Sequence, residues 1–219
     1  MTIFPQFKNL SRTYQLHQLI PRMADTLTPA TFVALKDADP EGDVLLLIGP
    51  PNELKSLLVS SKVLSLASPV FNKMLQIPRF LEGVERSSKV PLQLPLPEDN
   101  PEAVTWLCNA IHFSRNVDHD VSFSLFEELA ILCDKYDIAP AITPWSRWWL
   151  QKWKGSPDGE DKYLKMLYIS YAYGSYHAFR LSSRNIVLYS TAEDFETYQT
   201  LQNQNDTGLN ILPETLLGT

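Results

Sequence analysis

Residues 59–71, VSSKVLSLASPVF, decide how the middle of this 219-residue chain folds. The stretch is apolar on both sides of Ser68-Pro69. Proline is tolerated at the first position of a helix, and serine is favoured just before that position. Proline also disfavours the helical conformation at the residue that precedes it. The stretch therefore predicts one short helix that ends near Ala67 and a second that begins at Pro69.

The segments on either side of this corner predict a small sheet. Five apolar residues, 44–48, lie between Gly42-Asp43 and Gly49-Pro50, which favours a buried strand because a helix would need about twice that length. Residues 53–59 follow a Pro-Pro-Asn turn and are predicted to return as the second strand of a hairpin. Residues 90–96 alternate apolar and other residues but contain two prolines, which predicts an edge strand.

Four further segments are predicted to be helical from their apolar spacing. They are residues 101–111 after an acidic start, residues 123–136, the tryptophan-rich stretch TPWSRWWLQKWKG at 143–155, and residues 163–188. In the third of these, tryptophans at 145, 148, 149 and 153 cover one side of the helix. We expect this stripe to pack between the preceding domain and the helix at 163–188, the alternatives being a membrane-surface helix or an exposed partner site.

Composition limits the classes of function. A net charge of -6 and a pI near 5.2 argue against direct nucleic-acid binding, which needs clustered Lys and Arg. No stretch reaches the roughly 20 apolar residues of a membrane span. Both cysteines lie in apolar-periodic segments, which is typical of a reducing compartment. We expect the cytoplasm or nucleus, with a mitochondrial targeting segment as the alternative because no acid precedes Asp25.

Cys108 and His112 are the one pair at helical spacing with reactive side chains. A zinc site needs four ligands, or three and a water, and the sequence supplies no second pair at ligand spacing. A cysteine nucleophile with histidine as its base would also need an orienting group and an oxyanion loop. We therefore expect a packed core pair, and predict no enzyme activity, no cofactor and no metal site.

Four separated blocks of sequence carry a resemblance to a known family. They are Asp43–Gly49, the corner VSSKVLSLASPVFNKML, then LPLPEDNPEAVTWLCNAIHF, and then FEELAILCDKYDI. In this order and spacing they resemble the BTB/POZ domain, and particularly the BTB-like proteins of fungi, over residues 43–141. The resemblance implies an α+β, mostly helical fold, in which a helix cluster is capped by a short sheet and followed by a helical extension. Where many members have histidine, this chain has Ser60, which predicts a helix cap.

The predicted organisation has four parts. Residues 1–36 form a partly ordered N-terminal extension, residues 37–142 the BTB/POZ-like domain, residues 143–190 the helical extension, and residues 191–219 a polar acidic tail. Self-associating members of the family pair through an extra N-terminal strand and helix. Residues 1–36 show no obvious strand of that kind, so the resemblance leaves a homodimer as the less favoured arrangement.

The resemblance also implies a function in protein–protein interaction without catalysis. Some members recruit a cullin-type ubiquitin-ligase scaffold through a loop motif of a hydrophobic residue, any residue and glutamate. Phe80, Leu81 and Glu82 match this motif, and the alternative is that Phe80 packs on the core while Glu82 is solvated. We expect an adaptor with protein partners, the alternative being a self-associating module of a transcriptional or other regulatory assembly.

Overall fold

The computed structural model describes residues 33–76, 90–114, 117–153 and 162–189. Across these ranges the chain is α+β and mostly helical, as the sequence predicts. It divides into two compact units, residues 1–61 with 83–101 and residues 62–82 with 102–219. The first unit contains the sheet, and the second contains nearly all of the helical residues. The domain boundaries derived from the sequence stay predictions.

The described part of the first unit forms a four-stranded sheet in the order β1-β3-β2-β4. Its strands are β1 (Val33–Ala34), β2 (Val44–Ile48), β3 (Lys55–Val59) and β4 (Leu92–Leu96). The central strand β2 pairs antiparallel with β3 and parallel with β4. Its position between two neighbours explains its continuous apolar run. The predicted edge strand is confirmed, since β4 ends the sheet and its Pro95 lies opposite Leu47.

Strand β1 lies within residues 1–36, where the sequence shows no obvious strand of the kind that self-associating family members use. It pairs parallel with β3, where the Val33 N–H donates to the Leu54 carbonyl at 3.0 Å and the Leu35 N–H donates to the Ser56 carbonyl at 2.8 Å. Both residues of β1 are exposed, so the sequence shows no buried alternating pattern there. The strand forms because it satisfies backbone groups on the edge of β3, which side-chain periodicity does not report.

A close backbone approach and a pair of hydrogen bonds fix the open end of the hairpin. Gly42 approaches the backbone of Val59 so closely that an added Cβ would lie 2.5 Å from the Val59 carbonyl oxygen. The carboxylate of Asp43 accepts hydrogen bonds from the N–H and the hydroxyl of Ser61, both at 2.7 Å. Asp43 therefore accepts a hydrogen bond from the first N–H of the following helix, and the cap predicted at Ser60 stays a prediction. An acid is favourable there because the start of a helix is electropositive.

Seven α-helices lie in the described residues. They are α1 (Ser61–Ala67), α2 (Pro69–Gln76), α3 (Pro101–Ile111), α4 (Phe123–Tyr136), α5 (Thr143–Trp153), α6 (Lys162–Ala172) and α7 (Tyr176–Tyr189), with a 3-10 turn at Ala139–Ile142 between α4 and α5. The predicted break between Ala67 and Pro69 is confirmed. The apolar side chains that recur at helical spacing in α2, α3 and α4 are buried.

Ser68 organises the corner between α1 and α2. Its side chain is fully buried, its hydroxyl donates to the Tyr136 carbonyl at 2.5 Å, and its oxygen accepts from the Phe71 N–H at 3.0 Å. The rings of Phe71 and Tyr136 stack with centroids 4.2 Å apart. The serine thus caps α2 and links the corner to the C-terminal end of α4.

The predicted single helix at residues 163–188 is wrong, because the structure has two helices there. The chain turns at Gly174, which has a φ of 65°. This left-handed conformation favours glycine and commonly ends a helix. The Gly174 N–H donates to the Tyr171 carbonyl at 2.9 Å and the Ser175 N–H to the Ser170 carbonyl at 2.9 Å. Helices α6 and α7 then pack against each other.

Candidate protein-binding surface

The motif predicted to contact a cullin scaffold, Phe80, Leu81 and Glu82, lies outside the described residues. The described chain stops at Gln76, where α2 ends, and resumes at residue 90. The role of the motif therefore stays a prediction.

The tryptophan stripe of α5 belongs to a cluster of aromatic side chains within the helical unit, which we call the aromatic cluster. Trp149 is its centre and is fully buried, with its ring 4.8 Å from that of Trp106 and 5.8 Å from that of Phe126. Phe126 in turn stacks on Tyr173, in the turn between α6 and α7, with ring centroids 5.3 Å apart. The remaining members of the cluster are Trp145, whose ring contacts Trp106, and Trp153, whose ring contacts Phe123.

The indole N–H groups of Trp149 and Trp106 donate to backbone carbonyls of the loop before α4. The Trp149 Nε1 donates to the His119 carbonyl at 2.9 Å, and the Trp106 Nε1 donates to the Asp118 carbonyl at 2.8 Å. A buried indole needs such a partner, so these bonds fit a structural role. The burial predicted for the stripe is thus confirmed for Trp149 on the side of α3 and α4. The predicted packing of the stripe on the helix at 163–188 stays a prediction.

Trp148 is the member of the stripe that faces solvent, with 51 % of its surface exposed. The Lys152 ammonium lies 5.7 Å from its ring centroid and 4.7 Å from that of Trp153, and pairs with the Asp120 carboxylate. This lysine therefore already has an anionic and two aromatic contacts. The membrane-surface alternative for the stripe stays a prediction.

Phe113 is the most exposed large apolar side chain in the described residues, at 87 %. It follows the end of α3 with a φ of 56°, where its N–H donates to the Ala110 carbonyl at 3.2 Å. A bulky residue in this left-handed region is an outlier, because its side chain crowds the backbone. Phe113 thus combines local strain with an exposed aromatic ring, and neither favours folding.

Sequence reasoning missed two of these features. The first is Trp106, which is buried and packs edge-on against the ring of Trp149. Its position in the sequence, beside the predicted apolar face of α3, was the signal that could have predicted its burial. Phe113 gave no signal, since the sign of a φ angle at a helix end cannot be read from residue spacing.

The pair Cys108 and His112 shows no reactive geometry. The thiol of Cys108 is buried, and burial raises its pKa from 9.0 to about 12, so it is protonated at neutral pH. The His112 Nδ1 lies 2.7 Å from the backbone carbonyl of Cys108. Among the described residues, no group of three or more His, Cys, Asp or Glu side chains could hold a metal ion.

In the part of the chain that the structure describes, no helix combines the length and apolar character required to cross a membrane. Comparison of the sequence with protein-family models found no match, and neither did comparison with curated proteins.

Proposed function

We propose that this chain is a noncatalytic protein–protein interaction module of the BTB/POZ type that acts as an adaptor. The observation that carries the proposal is the order and pairing of elements from Val44 to Tyr136. A strand, an antiparallel strand, two helices divided by serine and proline, an edge strand parallel to the first, and two helices follow one another. This is the order of elements on which the sequence resemblance depends.

The local chemistry supports a binding role. The thiol of Cys108 is protonated and buried, and the indole N–H groups of Trp106 and Trp149 are engaged in structural hydrogen bonds. Phe113, in contrast, exposes an aromatic ring from a strained backbone. Strain without a folding benefit points to a role in function, and aromatic side chains are the commonest anchors of protein interfaces. We assign Phe113 as a contact residue for a protein partner.

The substitution Phe113→Gly separates this role from folding. Glycine avoids the roughly 1–2 kcal/mol that the left-handed conformation costs other residues, which raises the free energy of unfolding. Its greater conformational freedom in the unfolded chain lowers the free energy of unfolding by about 0.5–1 kcal/mol. The variant should therefore unfold at the same or a higher urea concentration. Its binding to a partner should nevertheless fall at least about tenfold, since a lost anchor costs more than about 1.4 kcal/mol.

The measurement is affinity purification of the full chain from its native cell, with quantitative mass spectrometry of the bound proteins. Leu66→Ala is the matched control, because Leu66 is also apolar and 79 % exposed but lies within regular helix. A partner lost with Phe113→Gly and kept with Leu66→Ala supports the assignment. Equal recovery of every protein by all three chains contradicts it.

The cullin proposal has its own test. Phe80→Ala combined with Glu82→Ala should abolish capture of a purified cullin-type scaffold without unfolding the domain. The control is Leu64→Ala: Leu64 is fully buried, so this variant should lose about 2–5 kcal/mol through a core cavity. Capture that is unchanged in the double variant rules out the motif. Capture lost only in Leu64→Ala reports unfolding.

The alternative, a self-associating module, is distinguished by light scattering at several protein concentrations. A monomer that persists at every concentration contradicts self-association. A mass that rises to a dimer or beyond with concentration favours self-association.

A further inference from the structure

Helix α7 presents a basic face with exposed apolar residues at its ends. Its 14 residues contain two arginines and no acid. Ser182 and Ile186 are buried, whereas Arg180 and Arg184 are exposed on the other side. Residues spaced by four lie above one another on a helix, so Tyr176, at 67 % exposure, continues the arginine row towards the N-terminus. Val187 and Leu188, at 80 % and 57 % exposure, extend it at the other end.

The two arginines of this face have no counter-charge among the described residues. Neither guanidinium pairs with a carboxylate there, in contrast to Lys152, which pairs with Asp120, and Lys165, which pairs with Glu127. Like charges four residues apart on a helix repel each other, and α7 contains no acid that would relieve this. The face is therefore complementary to a negatively charged segment that also carries apolar side chains.

The chain itself supplies such a segment directly after α7. Residues 191–219 contain five acids and neither lysine nor arginine. Three of the acids fall within TAEDFETY at 191–198, beside Phe195 and Tyr198. A nucleic acid fits the face less well, because two arginines on a chain of net charge -6 cannot neutralise a run of phosphates.

We propose that the basic face of α7 binds the acidic segment 191–219 of the same chain. The geometry allows it: Arg184 and Arg180 lie five and nine residues before Tyr189, or about 7.5 and 13.5 Å along the axis at 1.5 Å per residue. An extended chain spans about 3.3 Å per residue, so a reversal after Tyr189 brings residues 193–196 beside the arginines. The covalent link gives the acids an effective concentration of roughly millimolar, which compensates for weak exposed ion pairs. This inference is independent of the proposed function.

Paramagnetic relaxation in the full chain tests the proposal. Gln204→Cys provides a site for a nitroxide label, because Cys108 and Cys133 are 2 % and 1 % exposed and react poorly. In ¹⁵N-labelled protein at low salt, the amide signals of Arg180 and Arg184 should lose most of their intensity. The loss should largely disappear at about 1 M salt, where the Debye length falls to about 3 Å.

Charge reversal identifies the contact. Arg180→Glu with Arg184→Glu should abolish the signal loss, and the further changes Glu193→Arg, Asp194→Arg and Glu196→Arg should restore it. Arg147→Glu is the control, because Arg147 is an exposed arginine on α5 and its reversal should change nothing. Unchanged amide signals from α4 show that each variant is folded.

Three outcomes overturn the proposal. The first is an absence of signal loss on α7 at low salt. The second is a signal loss that persists in the charge-reversed variant. The third comes from a mixture in which one chain carries ¹⁵N and no nitroxide and the other carries the nitroxide and no ¹⁵N. Signal loss on α7 in this mixture would show that the face binds a second copy of the chain.

Discussion

Substitution of Ser68 by alanine tests the physical basis of the helical corner. The serine has two functions: its oxygen caps α2 through the Phe71 N–H, and its hydroxyl donates to the Tyr136 carbonyl from a fully buried position. Loss of a serine cap costs about 1 kcal/mol. Loss of the buried hydrogen bond adds roughly 1–2 kcal/mol, because the carbonyl loses this donor away from solvent. Ser68→Ala should therefore lower the free energy of unfolding by about 2–3 kcal/mol.

Ser122→Ala is the matched control for this change. Ser122 caps α4 in the same way, accepting from the Leu125 N–H at 3.1 Å, but it is exposed and its cap has no buried second bond. Its loss should cost about 1 kcal/mol. The difference between the two variants measures the link from the corner to α4.

Urea unfolding followed by tryptophan fluorescence is the assay. All five tryptophans belong to the helical unit that contains both serines, so the signal reports on that unit. With a slope near 2 kcal/mol per molar urea, the midpoint should fall by about 1 M for Ser68→Ala and about 0.5 M for Ser122→Ala. Equal midpoints for the two variants would show that the Tyr136 carbonyl bond adds nothing, and the account of the corner would be wrong.

Two other predictions concern the sheet and the buried thiol. Gly42→Ala should lower the free energy of unfolding by about 1–3 kcal/mol and speed hydrogen exchange in β3, because its Cβ would clash with the Val59 carbonyl; unchanged exchange would refute this. The pKa of the Cys108 thiol is 9.0 in the unfolded chain and about 12 in the folded protein. Between these values only the unfolded state loses its proton, so the free energy of unfolding should fall by about 1.4 kcal/mol per pH unit as the pH rises. Cys108→Ala should remove that part of the slope in urea titrations, and an identical slope contradicts the assignment.

Local chemistry explains why much of the fold follows from the sequence. The bounds of β2, the break at Ser68-Pro69 and the span of α4 were predictable because a five-residue apolar run, a proline and a helical repeat each act over a few neighbouring residues. Gly174 carried the same kind of signal for the turn between α6 and α7, but the apolar stripe on both sides of it favoured one continuous helix.

The candidate site was far less predictable. Phe113 is distinguished by a backbone angle and by the absence of any covering side chain, and neither is encoded in the spacing of its neighbours. The stripe of α5 was visible, but which tryptophan is buried depends on where Trp106 and Phe126 lie. Strand β1 is held by backbone hydrogen bonds to β3, which any residue except proline can make.

By itself, the sequence determined the α+β class, the helical and strand segments of the middle of the chain, and the composition that disfavours nucleic-acid binding. The tertiary structure alone decided which aromatic rings meet, which thiol is kept protonated, and which apolar residue stays exposed. The physical reason is range: propensity, capping and periodicity act within a few residues, whereas burial and strain depend on groups brought together from distant parts of the chain.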